Sequence, residues 1–347
     1  MKKINLKGMT IEEIETFVNS AGIESYRSRQ IFQWMYNKNA VSFNEMTNIS
    51  KNLRKKLTTL AEIQTLKILR KQESADSGTA KFLFGLPDGE AVESVYIPDQ
   101  KRRTVCVSSQ VGCALGCRFC QTGQMGLKRN LFAWEILDQV LAIERELGVD
   151  VTNIVVMGMG EPFQNYENVL RAVELCAHPE GMAIGQRKIT ISTSGLVPAI
   201  RRFTREKRRF KLAVSLNAAT DEKRSRLIPI NKKYPLAVLL DAVREYLQNS
   251  RCRVTFEYVL IAGENDSVED ARRLRRLLKG IRCKINLIPY NPTFPGFRAP
   301  DESKTNIFIQ ELLEFPAPVT LRKSRGSDID AACGQLFVKN EKCVKIA

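Results

Sequence analysis

The stretch CALGCRFCQTGQMG, residues 113–126, places Cys113, Cys117 and Cys120 at the spacing Cys-x3-Cys-x2-Cys. It follows the β-branched run RTVCVSS at residues 103–109, the first candidate strand of a barrel. Iron-sulfur cubes and structural zinc sites usually have four protein ligands, so three cysteines leave two alternatives. Either a 4Fe-4S cluster keeps one iron open to an exchangeable ligand, or a zinc ion takes a fourth ligand from elsewhere in the chain. The position in a loop after a strand favours the cluster.

Around this stretch, short β-branched runs alternate with longer amphipathic segments from residue 99 onward. The runs include NIVVM, KITIST, KLAVSL, VTFEYVL and KINLIPY, and the segments between them include AWEILDQVLAIEREL and PLAVLLDAVREYLQN. Such alternation predicts a parallel sheet with helical crossovers. About six or more units of this kind favour a (β/α) barrel, partial or complete, over a flat sheet. The predicted fold class is therefore α/β, with a partial (β/α) barrel.

Two smaller regions precede this barrel. Residues 1–65 contain apolar residues at intervals of three and four, which predicts a small helical accessory domain. Residues 66–98 change to alternating patterns on either side of Pro87, Asp88 and Gly89, which suits a hairpin turn. We interpret this region as a β-rich bridge, and residues 99–347 as the core barrel with a cysteine-bearing loop near its end.

The charge of the chain indicates a polyanionic partner. Lysine and arginine number 54 against 38 acidic residues, a formal net charge of +16. Basic clusters at residues 201–211 and 272–279 favour nucleic acid over an ordinary solvated surface, although the second is also a plain amphipathic helix. No apolar run reaches the length of a membrane span, so we expect a cytoplasmic protein without membrane contact. In that reducing compartment, the 9 cysteines favour metal or redox chemistry over disulfides.

Several motifs place small or polar residues where predicted strands end. GMGEP covers residues 158–162, TISTSG residues 190–195, SLN residues 215–217 and YNP residues 290–292. Each motif alone is weak, because strand-to-loop turns commonly contain glycine and hydroxyl groups. Their common position predicts a pocket at the mouth of the barrel, where barrel enzymes carry their active sites.

The motifs CVSSQVGCALGCRFCQTGQMGLKRNL, MGMGEP, ISTSG, SLNA, LIPYNP and SRGSDIDAACGQL occur in this order. Through them the chain resembles, over essentially its whole length, the radical S-adenosylmethionine RNA methyltransferases of the RlmN and Cfr group. The resemblance implies a barrel of the radical SAM type, one 4Fe-4S cluster held by Cys113, Cys117 and Cys120, and two S-adenosylmethionine molecules per turnover. Many family members have histidine where this chain has Asn217. The implied S-adenosylmethionine contacts are Gly160, Glu161, Ser192, Ser215, Leu216, Asn217 and Asn291.

The resemblance also implies roles for three further residues, which bind neither the metal nor the cofactor. Cys333 would carry the methyl group, Cys106 would resolve the intermediate by forming a transient disulfide with Cys333, and Glu93 would accept a proton. Without the resemblance, the same residues are predicted to be an inert loop thiol, a buried strand cysteine and a solvent-facing strand residue.

The activity implied is methylation of adenosine at C2, in the peptidyl-transferase centre of 23S rRNA and immediately 3' of the tRNA anticodon. The implied partners are these two RNAs and an electron donor such as flavodoxin or ferredoxin, with the protein acting as a monomer. The helical accessory domain of residues 1–65 is a candidate for additional RNA contact. The motifs GMGEP and SRGSDID favour C2, but C8 methylation, the reaction of the Cfr branch, stays an alternative. A non-catalytic, zinc-bearing RNA-binding protein is an alternative of another class.

Overall fold

The computed structural model describes residues 3–294, 296–322 and 325–338. Its strands are β1 (Ile4–Asn5), β2 (Ala61–Glu62), β3 (Lys67–Glu73), β4 (Ala80–Gly85), β5 (Ala91–Asp99), β6 (Arg102–Val107), β7 (Gln110–Cys113), β8 (Gly126–Asn130), β9 (Asn153–Val156), β10 (Ile189–Thr193), β11 (Lys211–Ser215), β12 (Val254–Leu260), β13 (Cys283–Pro289) and β14 (Val319–Leu321). Its α-helices are α1 (Ile11–Ser20), α2 (Arg27–Tyr36), α3 (Lys51–Leu60), α4 (Gln121–Gln124), α5 (Ala133–Leu147), α6 (Tyr166–Ala177), α7 (Val197–Arg205), α8 (Asp221–Leu227), α9 (Leu236–Asn249), α10 (Val268–Leu277) and α11 (Glu302–Leu313).

The central feature is a 10-stranded sheet in the order β14-β13-β12-β11-β10-β9-β6-β5-β4-β3. The strands from β6 to β14 in that order pair in parallel, with amphipathic helices as crossovers. Strands β3, β4 and β5 extend the sheet in antiparallel pairing. Among the described residues no pairing joins β14 to β3, so the barrel is open. The predicted α/β fold with a partial (β/α) barrel is confirmed.

The amino-terminal helices are anchored to the barrel by a buried ion pair. Helix α1 begins at a capping box formed by Thr10 and Glu13, and its apolar face is buried. Just before it, the Lys7 ammonium lies 2.6 Å from the Asp138 carboxylate of α5, and both side chains are fully buried. The second oxygen of Asp138 accepts the Leu66 N–H at 2.6 Å. One carboxylate therefore holds the start of the chain and the entry to β3 against the same barrel helix.

The hairpin predicted at Pro87 to Gly89 joins β4 to β5. Gly89 takes a φ of 85°, in the left-handed region that favours glycine. None of the described helices has the length and apolar content to span a membrane.

Candidate active site

The carboxyl ends of the parallel strands surround a cavity of about 150 Å³. It lies next to the loop that contains Cys113, Cys117 and Cys120, which we call the cysteine loop. Two predicted cluster ligands, Cys117 and Cys120, lie on one side of the cavity. Parallel strands end on the same side of a sheet, which brings residues far apart in sequence to one place. The predicted cofactor contacts that line this cavity are Gly160, Glu161, Ser192, Ser215 and Asn217.

The remaining two predicted contacts lie elsewhere. The Leu216 side chain is fully buried in the core, and its N–H donates to the Glu257 carbonyl at 2.9 Å. Asn291 follows β13 and donates from its amide to the Cys333 carbonyl at 3.2 Å. Leu216 can therefore offer only backbone to a ligand, whereas Asn291 supports the loop that carries Cys333.

The cysteine loop starts in the short hairpin of β7 and β8. A Cβ atom on Gly112 would lie 1.8 Å from the Gly126 carbonyl oxygen, so only glycine permits this approach. Cys113 ends β7, Cys117 lies in the following loop, and Cys120 immediately precedes α4. This local structure was not predicted, because glycine and polar residues give neither a strand nor a helix period.

The three thiols are chemically suited to bind metal. Burial raises the pKa of the Cys113 thiol to about 12, and burial together with the neighbouring thiols raises the pKa of Cys117 and Cys120. A positive metal centre would offset these penalties, because thiolate is the metal-binding form. In the described part of the chain, no group of three Cys, His, Asp or Glu residues is arranged to hold a single metal ion. A 4Fe-4S cluster requires wider spacing, since each thiolate binds a different iron.

Glu161 places a buried carboxylate in the wall of the cavity. Its two oxygens accept the N–H groups of Ser194 at 2.8 Å and Phe163 at 3.1 Å, which fixes the carboxylate in orientation. Its own N–H donates to the Gln110 side chain at 2.8 Å. Burial raises the pKa of Glu161 to about 7. A cationic ligand in the cavity would favour the ionised carboxylate, and the ammonium of S-adenosylmethionine is such a cation.

Two glycines allow the loop that carries Glu161 to lie against the end of β6 and the start of β7. A Cβ on Gly158 would come within 2.8 Å of the Val107 carbonyl oxygen. Gly160 has a φ of 102°, and a Cβ there would lie 2.6 Å from the Gln110 Cβ. The GMGEP motif therefore satisfies a steric requirement of the strand end as well as lining the cavity.

Arg224 of α8 is fully buried and holds together the ends of two strands beside the cavity. Its guanidinium donates to the carbonyl oxygens of Leu216 at 3.0 Å, Ser194 at 2.7 Å and Ser215 at 3.1 Å. It also donates to the Asn231 side chain at 2.9 Å. One guanidinium thus satisfies carbonyl groups at the ends of β10 and β11.

We expect Arg224→Met to lower the free energy of unfolding by about 3 kcal/mol, because several buried carbonyl groups would lose their donor. Urea denaturation monitored by circular dichroism measures this change. Arg226 on the same helix is an exposed residue paired with Glu264, so Arg226→Met should cost less than about 1 kcal/mol. Equal losses in the two variants would show that the buried contacts of Arg224 carry little stability.

The two thiols with implied catalytic roles face one cavity of about 930 Å³ inside the open barrel. Cys106 is buried on β6, and Cys333 is exposed in the loop after β14. Burial, followed by the proximity of Cys333, raises the pKa of the Cys106 thiol to about 12. The Arg322 guanidinium lies near both thiols and interacts with them electrostatically. Cys120 lies on the wall of the same cavity, so the cysteine loop adjoins the pair.

Glu93 lies beside the Cys333 loop rather than in the cavity wall. The expectation of a solvent-facing residue was wrong: Glu93 is only 6% exposed on β5. Its carboxylate pairs with the Lys81 ammonium at 3.2 Å and accepts the Phe337 N–H at 2.9 Å. Lys81 also donates to the Asp330 carbonyl at 3.3 Å. Glu93 is buried because this ion pair binds both ends of the loop that carries Cys333. The burial raises the pKa of Glu93.

The basic clusters on the outer helices are largely neutralised by acidic neighbours. Arg201 and Arg202 of α7 pair with glutamates of nearby helices, as does Arg208 after it. On α10, the ion pairs are Arg272 with Glu311, Arg273 and Arg276 with Glu269, and Arg275 with Glu314. These arginines are therefore weaker candidates for RNA contact than the sequence pattern indicated.

Comparisons with known proteins identify the family of the chain. Residues 4–63 match the family "Ribosomal RNA large subunit methyltransferase N-terminal domain", and residues 107–275 match the "Radical SAM superfamily". The chain is 49% identical to the dual-specificity RNA methyltransferase RlmN of Syntrophobacter fumaroxidans, with 98% of this chain and 99% of that protein covered. It is 51% identical to RlmN of Geobacter sulfurreducens, covering 96% and 92% of the two chains.

A solved structure is similar throughout. The crystal structure of a radical SAM methyltransferase from Sphaerobacter thermophilus superposes with a TM-score of 0.92 at 49% identity, covering 96% of this chain and 99% of that one. The resemblance carried by the motifs is thereby confirmed. The chain belongs to the RlmN family of radical S-adenosylmethionine RNA methyltransferases.

Proposed function

We propose that this enzyme methylates C2 of adenosine through a methyl group carried on Cys333, and that its substrates are 23S rRNA and tRNA. The observation that carries the proposal is the placement of Cys106 and Cys333 on one cavity that adjoins the cysteine loop. A methyl carrier needs a thiol within reach of the substrate, and release of a carbon-bonded product needs a second thiol beside the first.

The cofactor positions follow from the donor groups. Cys113, Cys117 and Cys120 would bind three irons of one 4Fe-4S cluster, and the cavity with Glu161 would hold S-adenosylmethionine. When bound, the reduced cluster supplies the electron that cleaves S-adenosylmethionine to a radical able to remove hydrogen from a methyl group. Glu161 would orient the ammonium, while the remaining strand-end residues would contact the rest of the molecule; they are Gly160, Ser192, Ser215, Leu216, Asn217 and Asn291.

The two thiols act in sequence in this proposal. Cys333, the exposed thiol, takes a methyl group from one S-adenosylmethionine as its thiolate. The methyl group on Cys333 would then lose a hydrogen atom to the radical derived from a second S-adenosylmethionine, and its carbon would bond to C2 of the base, which ties Cys333 to RNA. This adduct would lose the C2 proton and one electron, and the electron would return to the cluster that supplied it. The Cys106 thiolate would then attack the Cys333 sulfur, which breaks the bond between that sulfur and the methylene carbon. The carbon takes up a proton to give the methylated base, and the two thiols are left as a disulfide. An external dithiol must reduce this disulfide before the next round.

The proton leaving C2 is assigned to the Glu93 carboxylate. Burial raises the pKa of Glu93, which favours holding a proton there. Glu93 is not among the residues that line the cavity, and its carboxylate now binds Phe337 of the Cys333 loop. Proton transfer to Glu93 therefore requires the loop to shift when RNA binds.

Helix α3 is the part of the accessory region best suited to bind RNA phosphates. Lys51, Lys55 and Lys56 are exposed on it, and no described acidic residue forms an ion pair with them. Unpaired lysines can exchange counterions for phosphates, which produces binding that weakens steeply with salt. About six to ten such contacts in the whole complex would lose roughly 10³- to 10⁵-fold in affinity between low and moderate salt.

We expect simultaneous change of Lys51, Lys55 and Lys56 to glutamine to weaken RNA binding roughly tenfold and to flatten its salt dependence. Fluorescence anisotropy with a labelled RNA stem-loop across a salt series measures both effects. The matched control changes the paired residues Arg272, Arg273 and Arg275 to glutamine, which removes the same charge. Equal weakening in the control would indicate that net charge, rather than α3, determines affinity.

The decisive experiment is anaerobic cluster reconstitution followed by incubation with S-adenosylmethionine and unmodified 23S rRNA fragments or tRNA. Mass spectrometry and NMR of the modified adenosine locate the methyl group. Methyl at C8 would contradict the proposed regiochemistry, and zinc-containing protein that methylates no RNA would contradict the enzymatic assignment.

We further propose that the enzyme acts as a cytoplasmic monomer that receives electrons from a flavodoxin or ferredoxin.

A further inference from the structure

Two buried hydrogen-bond acceptors without partners face the catalytic cavity. Glu257 of β12 and Asn286 of β13 lie opposite each other on neighbouring strands. The Asn286 amide donates to one Glu257 oxygen at 3.0 Å. The second oxygen of Glu257 and the side-chain oxygen of Asn286 are both buried, and neither has a hydrogen-bond partner among the described residues. Buried acceptors are normally satisfied, so a pair left open indicates a missing donor.

The orientation of Asn286 is set by Glu257. Side-chain amides can be placed with oxygen and nitrogen exchanged, but an Asn286 oxygen beside the Glu257 carboxylate would bring two acceptors together. The nitrogen must therefore face Glu257, and the oxygen is directed away from it. The site consequently offers two acceptor atoms, one from each side chain, and Glu257 itself is only 6% exposed.

The position of this acceptor pair relates it to the reacting thiols. Glu257 and Asn286 line the 930 Å³ cavity together with Cys106 and Cys333. Arg322 lines the same cavity and interacts electrostatically with Glu257 and with both thiols. The Arg322 guanidinium forms no hydrogen bond or ion pair with any residue in the described ranges. One wall beside the thiols thus presents two acceptors and an uncommitted donor.

We propose that Glu257 and Asn286 recognise the exocyclic amino group of the target adenine, each accepting one of its two N–H bonds. This inference rests on the proposed methylation of adenosine. Arg322 supplies a donor for an adjacent ring nitrogen, which completes a polar pattern complementary to adenine. Guanine would place a carbonyl oxygen against the two acceptors, so the same site disfavours guanosine.

The adenine of S-adenosylmethionine carries the same amino group, and the structure favours the RNA base as the occupant. Glu257 lines both cavities, but Asn286 lines the one that contains Cys106 and is absent from the lining of the smaller cavity with Ser192 and Ser215. The base that receives a methyl group from Cys333 must lie beside the two thiols. The acceptor pair therefore faces the space that the substrate base has to enter.

The test compares RNA stem-loops that contain either adenosine or purine riboside, which lacks the amino group, at the target position. With cluster-reconstituted enzyme, the adenosine RNA should bind roughly tenfold to a hundredfold more tightly than the purine riboside RNA and should have a kcat/KM higher by the same factor. The reason is that loss of the amino group leaves buried acceptors unpaired. In Glu257→Met, which keeps side-chain length and removes both oxygens, the preference should fall to within about threefold of unity. In Glu257→Gln, it should fall to an intermediate value.

Thr255→Val is the matched control, because Thr255 lies two residues away on β12 and faces the same cavity. Its adenosine preference should equal that of the unchanged enzyme. Equal binding of the two RNAs by the unchanged enzyme would overturn the inference without any variant. An unchanged preference in Glu257→Met, with weaker equilibrium binding of S-adenosylmethionine, would assign the acceptors to the cofactor. Absence of all RNA methylation would instead contradict the proposed function, while the binding comparison still tests the inference.

Discussion

Cys106→Ala is expected to accumulate a covalent complex between the protein and its RNA substrate. The variant keeps Cys333 and the cysteine loop, so methyl transfer to Cys333 and its attachment to the base can proceed. The thiol that the proposal pairs with Cys333 for the releasing disulfide is then missing. Product formation should stop after at most one turnover. Denaturing electrophoresis should reveal a band of higher mass that disappears after ribonuclease treatment.

Three further variants separate the roles of the thiols. Cys333→Ala should form neither methylated protein nor methylated RNA, and Cys106→Ala combined with Cys333→Ala should form no covalent complex. Cys252 lines the same cavity, which makes Cys252→Ala a matched control with normal turnover expected. Normal turnover in Cys106→Ala, or a covalent complex without Cys333, would contradict the division into methyl carrier and resolving thiol.

The barrel could be predicted because each of its strands and helices has a recognisable pattern within its own stretch of sequence. Runs such as NIVVM and KLAVSL are short and mostly apolar and contain β-branched residues, and they become β9 and β11. The hairpin of β7 and β8 was missed, since it depends on a contact between Gly112 and Gly126 rather than on a periodic pattern. The burial of Glu93 was missed for a related reason: its partners Lys81 and Phe337 lie on another strand and near the end of the chain.

The residues of the candidate site also divide into those that could be predicted from the sequence and those that could not. The strand-end motifs containing Glu161, Ser192 and Ser215 could be placed together, because parallel strands end on one side of the sheet. Glu257 and Asn286 were missed, although each lies within a recognised strand. Both faces of a parallel strand are buried, so alternation along the sequence does not distinguish the cavity from the helix layer. An acidic residue in the apolar run VTFEYVL was the available signal.

Basic clusters in the sequence were the least reliable predictor of an RNA-binding surface. RRLRRLLK at residues 272–279 indicated a binding surface, yet Arg272 pairs with Glu311 of α11 and Arg275 with Glu314 directly after that helix. Those partners lie about 40 residues later in the chain, and only the packing of α10 against α11 brings them close. The lysines of α3 have no such neighbours among the described residues, which is why the prediction for RNA affinity compares these two helices.

Cys117→Ala is expected to abolish cluster binding and all activity. In the proposed site this residue is one of three protein ligands, and the bonds it would form cannot be supplied by a neighbour that already binds another iron. Iron and sulfide content after anaerobic reconstitution should fall to a small fraction of that in the unchanged protein, and the visible absorption should disappear. Neither deoxyadenosine nor methylated RNA should form.

The control for this change is Cys176→Ala, since Cys176 is also a fully buried thiol but lies on α6, away from the cysteine loop. It should retain iron, sulfide and methylation, which separates loss of a ligand from loss of a buried thiol. Circular dichroism of Cys117→Ala should match the unchanged protein, because the barrel strands and Arg224 contacts do not depend on this side chain. Retention of a complete cluster with cleavage of S-adenosylmethionine in Cys117→Ala would overturn the assignment of all three cysteines, since their roles rest on one shared spacing and one shared loop.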